Sequence, residues 1–356
     1  MESTSPILLT DRTTIETDWT CGQKRYWYKE YGSGGIVPKD EPAYFEEGRD
    51  IHDNLANLAG NADPLEWTRC VVATEMARVE RQNITGQLEL ETLYRRLGWL
   101  LAFAKWIEPG VRAEYETISV EGEVILDRAP LWIACTPDRI LRRRDDGRLV
   151  YREYKTTKKT SYEWMNYWPH AVQLHLGIKA VEEEMGERMG FAHVQGLFKG
   201  YVKEGKLRHP YTWAYSNGEK WQKDWKGGWD LRPVWEYPGG LEAWVDFLGE
   251  EVSRTQFPYS APIFLDDRLV EELVEQVRQR EQAVRVYHQT DVADRAYQHQ
   301  WYFPQRFSQC RPMFGSPCAY REACWNASVG ADPIGSGIYV TRTPHHEVEL
   351  VGRSDV

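Results

Sequence analysis

The stretch PDRILRRRDDGRLVYREYK, which runs from Pro137 to Lys155, decides how this chain folds. Its charged middle contains an Asp-Gly pair and separates two apolar runs, and Asp-Gly between short β-type runs is a strong hairpin signal. Side chains alternate between the two faces of a strand. The second run therefore predicts that Glu153 and Lys155 share one face, with Tyr154 on the other.

Asp138 follows the apolar run 131–134, so the pattern places it at the end of the first strand, within reach of the face that carries Glu153 and Lys155. Two carboxylates beside an amine are the parts of a site for Mg²⁺ or Mn²⁺, which take oxygen ligands from carboxylates, water and substrate phosphate. The alternative interpretation is a charged hairpin whose lysine pairs with an acid.

The order Asp, hairpin, Glu-x-Lys resembles the signature of the PD-(D/E)XK nucleases. Upstream, Gly48-Arg49-Asp50-Ile51-His52 is similar to the Gly-x-x-x-His motif of the RecB-type members, whose histidine supplies a nitrogen ligand to a metal. A surface histidine on an amphipathic helix is the alternative for His52. Asp138 and Glu153 follow at sequence separations typical of the family, and this favours the interpretation of His52 as a metal ligand.

This resemblance implies metal-assisted hydrolysis of phosphodiester bonds. His52, Asp138, Glu153 and the Tyr154 carbonyl would hold one or two Mg²⁺ or Mn²⁺ ions, which lower the pKa of a bound water and stabilise charge on the phosphate. Lys155 would position that water or help to deprotonate it.

Two further sets of residues have smaller roles in this hypothesis. Gln173 matches the first residue of the family's Gln-x-x-x-Tyr motif and would orient the site, although Gly177 occupies the tyrosine position. Arg139, Lys158 and Lys159 are candidates for phosphate contacts, with solvated surface charge as the alternative.

The six cysteines indicate a metal rather than disulfides, because no secretory signal is apparent and three of them crowd near the C-terminal end. Cys21, Cys310, Cys318 and Cys324 resemble the layout of the iron–sulfur branch of RecB-type nucleases, seen in AddB-type helicase-nucleases, CRISPR-associated RecB-like exonucleases and phage relatives. Four thiolates of this kind imply a [4Fe–4S] cluster. The alternatives are a zinc site, although closely paired cysteines are absent, or core thiols.

Length, net charge and apolar content limit the number of domains and the kinds of binding partner. With 356 residues the chain fits one large or two intimate domains, and its formal net charge of −10 argues against broad non-specific nucleic-acid binding without excluding a locally basic groove. No apolar stretch approaches the length of a membrane span, so we expect a cytoplasmic protein with no membrane partner.

We expect an α/β fold with a PD-(D/E)XK (restriction-endonuclease-like) core sheet flanked by helices, an N-terminal helical region and a C-terminal iron–sulfur-binding segment. The expected parts are an N-terminal helical part (1–110), a catalytic core (111–217), a Trp/Gly/Lys-rich insertion (218–240), C-terminal helices with the cysteine cluster (241–328) and a tail (329–356). Helices are predicted at 10–31, 41–58, 66–81, 86–107, 164–185, 241–257 and 267–287, and strands at 117–126, 191–202 and 207–215, besides the hairpin.

The function that the resemblance implies is a Mg²⁺- or Mn²⁺-dependent DNA exonuclease acting on single strands or duplex ends. The alternatives are a CRISPR-adaptation-type nuclease that works with an integrase, and a DNA-binding module with a regulatory or inactive site. No Gly-x4-Gly-Lys-[Ser/Thr] loop occurs in the sequence, so any unwinding would come from a helicase or recombination partner.

Overall fold

The computed structural model of the chain describes residues 7–32, 34–40, 43–157, 162–198, 239–254, 256–310 and 317–344. The strands are β1 Leu8–Asp11, β2 Ile36–Pro38, β3 Tyr115–Val120, β4 Val124–Arg128, β5 Leu131–Cys135, β6 Arg139–Arg143, β7 Leu149–Thr157, β8 Met189–Phe198 and β9 Tyr339–Thr341. The helices are α1 Arg12–Thr20, α2 Gly22–Arg25, α3 Ala43–Gly60, α4 Pro64–Gln82, α5 Gln87–Ala102, α6 Glu108–Glu114, α7 Tyr162–Tyr167, α8 Val172–Met185, α9 Gly240–Arg254, α10 Asp267–Gln289, α11 Val292–Tyr302, α12 Phe307–Cys310, α13 Arg321–Trp325 and α14 Ala327–Ala331.

A four-stranded sheet with the order β3-β6-β7-β8 forms the centre of the fold. β6 and β7 form an antiparallel hairpin about the predicted Asp-Gly turn, and in it Arg139 lies opposite Arg152. Gly147 has a φ of +73° in the connecting turn, a conformation that glycine adopts at little cost. β8 pairs with β7 in parallel, so the chain must cross over between them, and α7 and α8 lie in that connection.

The apolar run before Asp138 belongs to a different sheet from the hairpin. It forms β5, which lies between β1 and β4 in a three-stranded sheet. Asp138 therefore lies in the segment that connects the two sheets, immediately before β6. The sequence pattern predicts it at the end of the first hairpin strand, and that prediction was wrong. The predicted strand 117–126 is likewise divided, because Glu121, with a φ of +50°, turns the chain from β3 into β4.

Five of the seven predicted helices lie close to their expected bounds, as α3, α4, α5, α9 and α10, and α9 is kinked at Gly249, where φ is +74°. The other two are broken. The segment 10–31 is interrupted at Cys21, whose backbone is extended with φ −168° and ψ 120°. The segment 164–185 is interrupted at Ala171, after a short 3-10 turn that contains Pro169. Proline disrupts a helix because it lacks an N–H donor and its ring clashes with the preceding turn.

The first part of the predicted tail (329–356) contains regular structure. α14 (Ala327–Ala331) extends into it, and β9 pairs antiparallel with β2 near the other end of the chain. Tyr339 is buried and its ring stacks on that of Tyr320. Several expectations lie outside the described residues: the strand 207–215, nearly all of the insertion 218–240, Lys158, Lys159 and the last part of the tail.

Helices cover both faces of the four-stranded sheet. Val150 and Tyr154 of β7 pack into a core with residues of α5 and α9, whereas Tyr151 packs on the opposite face with residues of α8. Burying a large apolar side chain contributes about 1.5–3 kcal/mol. The central strand is thus held from both sides. Among the described helices, none is long and apolar enough to cross a bilayer.

Candidate active site and cysteine cluster

Asp138 is the centre of a group of ligand-type side chains. One ligand atom each from His52, Glu121 and Asp138 lies within 4.8 Å of the others. The Asp138 Oδ2 atom accepts a 2.5 Å hydrogen bond from the Tyr154 backbone N–H, so the aspartate is anchored to β7. The side chain is buried. Its other oxygen, Oδ1, lies 3.5 Å from the His52 Nδ1 atom.

His52 reaches the group from α3. Burial alone would lower the pKa of His52, but the hydrogen bond and negative charge of Asp138 outweigh it and raise the pKa. Gly48, one turn earlier on α3, faces β7, since a Cβ placed there would lie 3.6 Å from the Thr156 Oγ1 atom. The Gly-x-x-x-His spacing thus brings α3 against the strand that carries the acidic motif.

Glu121 is the member of the group that the sequence analysis missed. Its backbone N–H donates a 3.3 Å hydrogen bond to the Asp138 carbonyl, which fixes the β3–β4 turn against the site. Glu121 is exposed, yet partial desolvation, followed by the negative charge of Asp138, raises its pKa to about 7. The available signal was the Glu121-Gly122 pair between two apolar runs, which indicates a turn more than a continuous strand.

Glu153 and Lys155 lie on the same face of β7, as alternation along the strand requires. The Lys155 Nζ atom donates a 2.7 Å hydrogen bond to Glu153 Oε1. The Glu153 carboxylate is fully buried, and its second oxygen accepts a 3.1 Å hydrogen bond from the Tyr151 hydroxyl. Burial would lower the pKa of Lys155, but Glu153 and then Asp138 raise it.

The remaining predicted residues differ in their placement. Gln173 is half-buried near the start of α8, and no hydrogen bond joins it to the other predicted site residues in the described part of the chain. Arg139 is not available to a phosphate: it is 1% exposed and makes a bidentate ion pair with Glu108, at 2.8 and 2.9 Å. That expectation was wrong because the strand turns Arg139 inward.

The four cysteines that resemble cluster ligands gather from both ends of the chain. Cys21 caps α1, Cys310 ends α12, Cys324 lies in α13, and the Cys318 N–H donates a 3.1 Å hydrogen bond to the Cys310 carbonyl. Burial raises the pKa of Cys324 to about 11, and the charges of the other three thiols contribute to that rise. All four are therefore electrostatic neighbours.

Three of the four sulfur atoms receive N–H donors. The Arg306 backbone N–H is 3.4 Å from Cys21 Sγ, the Gln305 side-chain amide is 3.6 Å from Cys310 Sγ, and the Trp27 indole N–H is 3.2 Å from Cys324 Sγ. N–H donors of this kind stabilise thiolate charge and tune iron–sulfur clusters. The other two cysteines differ in exposure: Cys135 is buried at the end of β5, whereas Cys70 is exposed on α4.

A model of a known family matches most of the chain. The family model of the PD-(D/E)XK nuclease superfamily matches residues 13–325, a span that contains the candidate ligands around Asp138, the Glu153–Lys155 pair and the four cysteines described above. The chain belongs to the PD-(D/E)XK nuclease superfamily. No curated protein matches the chain. Members of the superfamily are typically metal-dependent nucleases, and one histidine nitrogen with two carboxylates is a donor set that fits Mg²⁺ or Mn²⁺.

Proposed function

We propose that the protein is a Mg²⁺- or Mn²⁺-dependent deoxyribonuclease that degrades DNA from single-stranded or duplex ends. The observation that carries this proposal is the convergence of His52, Glu121 and Asp138 beside the Glu153–Lys155 pair. A divalent ion held there would lower the pKa of a water and offset charge on the scissile phosphate.

The chain's own residues would do the following. His52, Glu121 and Asp138 hold the ion, with Glu153 and the Tyr154 carbonyl as further candidate ligands from β7. Lys155, as a protonated amine paired with Glu153, orients a water by hydrogen bonding and offsets negative charge as the phosphodiester is cleaved. Gln173 remains a candidate orienting residue.

We further propose that Cys21, Cys310, Cys318 and Cys324 hold a [4Fe–4S] cluster. The donor set fits in its chemistry, because all four residues are thiols, Cys318 is hydrogen-bonded to Cys310 through the backbone, and N–H donors face three of the sulfurs. The cluster would join α1 to the C-terminal segment across nearly the whole chain, and closing such a long loop limits the unfolded ensemble. Hydrolysis needs no redox step, so its role is structural.

The test is cleavage of end-labelled single- and double-stranded DNA by anaerobically purified protein, with Mn²⁺ and with EDTA. Metal-dependent shortening from one labelled end is the expected result. A folded protein that binds DNA but does not cut it with any divalent ion would overturn the nuclease proposal and favour a binding module. Iron and sulfide analysis of the same sample would test the cluster, since zinc alone would exclude it.

A further inference from the structure

The Tyr151 hydroxyl connects an arginine of the first helix to the buried carboxylate of β7. The Arg12 Nη1 atom donates to Tyr151 Oη at 3.0 Å, and Tyr151 Oη donates to Glu153 Oε2 at 3.1 Å. Arg12 Nη1 also lies 3.6 Å from Glu153 Oε1, the oxygen that accepts from Lys155. Both carboxylate oxygens therefore have fixed partners.

The fold makes room for this arrangement at one position of α8. A Cβ placed on Gly177 would lie 2.7 Å from the Tyr151 Oη atom and 3.2 Å from two of its ring carbons. Any larger residue at 177 would push the hydroxyl away from Glu153. Tyr151 is fully buried, so its hydroxyl has no water to replace a lost partner.

Arg12 also holds the segment that leads to Asp138. Its Nη2 atom donates a 2.7 Å hydrogen bond to the Thr136 carbonyl, two residues before that aspartate. Arg12 lies at the start of α1, directly after β1, and β1 pairs with β5, the strand that ends at Cys135. One guanidinium thus joins the two segments that carry the acidic site residues.

The positive charge of Arg12 also helps to hold the buried Glu153 carboxylate in place. A fully buried carboxylate is costly unless cations and hydrogen bonds compensate it. If Lys155 alone compensated Glu153, the ammonium would be committed to that ion pair. Arg12 supplies a second positive charge at the carboxylate, and this leaves Lys155 available to a water or a phosphate.

We infer that Arg12 and Tyr151 are positioning residues that hold Glu153, and through Thr136 the approach to Asp138, in the geometry that the metal and the substrate require. This inference rests on the proposed nuclease function. Residues that orient a metal site without touching the metal typically change affinity or activity by about 10- to 100-fold when replaced.

The experiment compares wild type with Tyr151→Phe, Arg12→Gln and Arg12→Lys. The readouts are kcat and KM for DNA cleavage, the Mn²⁺ dissociation constant by titration calorimetry without DNA, and thermal midpoint. Tyr115→Phe is the matched tyrosine control, since Tyr115 is buried at the opposite end of β3 from Glu121. Arg280→Gln is the matched arginine control. Arg280 lies on α10 and donates two hydrogen bonds to Asp18, which belongs to α1, the helix that also carries Arg12.

We expect Tyr151→Phe and Arg12→Gln to lower kcat and weaken Mn²⁺ binding by about 10-fold or more with little change in KM, and Arg12→Lys to recover part of both. The controls should change only the thermal midpoint. Unchanged kcat and Mn²⁺ affinity in folded Tyr151→Phe would overturn the inference. So would an equal loss in Arg280→Gln, because the effect would then come from α1 as a whole. Absence of cleavage by wild type would instead overturn the nuclease function.

Discussion

The backbone N–H of Tyr154 donates a 2.5 Å hydrogen bond to the side chain of Asp138. This bond joins the two halves of the nuclease motif, the aspartate before the hairpin and the Glu-x-Lys strand that completes it. Because the donor belongs to the backbone of the central strand, the fold itself orients the aspartate. Burial would raise the pKa of Asp138, but the hydrogen bond and charge of His52, followed by the charge of Lys155 and this backbone bond, hold the pKa below its usual value.

Asp138→Asn should abolish cleavage, with a loss of more than about 100-fold, because the substitution removes the charge at the centre of the ligand group. The shape of the side chain is retained, so the circular dichroism spectrum should match that of wild type. Asp145→Asn is the control, since Asp145 is exposed in the turn of the same hairpin. Wild-type cleavage with Mn²⁺ by folded Asp138→Asn would show that the site lies elsewhere.

Glu121→Gln tests the candidate ligand that the sequence analysis missed. We expect Mn²⁺ to bind more weakly, by about 10-fold or more, because one of the two carboxylates around His52 becomes neutral. Glu116→Gln, an exposed glutamate on the preceding strand, should have no effect on Mn²⁺ binding. Calorimetric titration of both variants without DNA gives the comparison. Equal Mn²⁺ affinity in wild type and Glu121→Gln would remove Glu121 from the ligand group.

Replacement of any one of the four clustered cysteines by serine should reduce the iron content and lower the thermal midpoint. The reason is that the proposed cluster joins the two ends of the chain, and its loss frees both. Cys70→Ser is the control because Cys70 is exposed and outside the cluster. The measurements are iron and sulfide per chain and the unfolding midpoint under argon. Full iron content in Cys318→Ser would remove Cys318 from the ligand set.

The sequence predicted the hairpin, most of the helices and the shared face of Glu153 and Lys155, because these depend on local periodicity and turn chemistry. It did not predict that β5 and the hairpin belong to different sheets, since pairing between β1 and β5 is non-local. Glu121 was assigned to a continuous strand because the local turn signal of Glu121-Gly122 was overlooked. Arg139 was assigned to the surface because its partner is also non-local. The buried partner of Arg139, Glu108, lies on a helix whose position no local pattern reveals.

Glu30 should make stability depend on pH in the acidic range. Burial would raise its pKa, but the Arg25 guanidinium, together with His288, lowers it to about 2. A depressed carboxyl pKa stabilises the fold above the unfolded value of about 4.3, and the contribution is lost as pH falls towards about 2. The free energy of unfolding, measured by urea titration, should therefore differ most between wild type and Glu30→Gln near neutral pH, and the difference should shrink progressively below about pH 4. A difference that stays constant over this range would contradict the assignment.

The Glu108–Arg139 pair should contribute to stability and not to DNA binding. Both side chains are almost completely buried, and Arg139 also donates to the Thr117 hydroxyl. Glu108→Gln leaves the arginine charge buried without compensation, which typically costs about 3–5 kcal/mol. We expect a matching fall in the free energy of unfolding from urea titration, and none for the exposed Glu116→Gln.

The double variant Glu108→Leu/Arg139→Met distinguishes a structural pair from a phosphate contact. Replacing both partners of a buried ion pair by apolar residues of similar volume is often neutral or stabilising, so the double variant should regain most of the stability that Glu108→Gln loses. Its affinity for DNA, measured by fluorescence anisotropy at constant salt, should equal that of wild type. If the folded double variant instead bound DNA more weakly and its affinity depended less on salt, Arg139 would have to reach a phosphate in the complex, because each lost phosphate contact reduces the salt dependence.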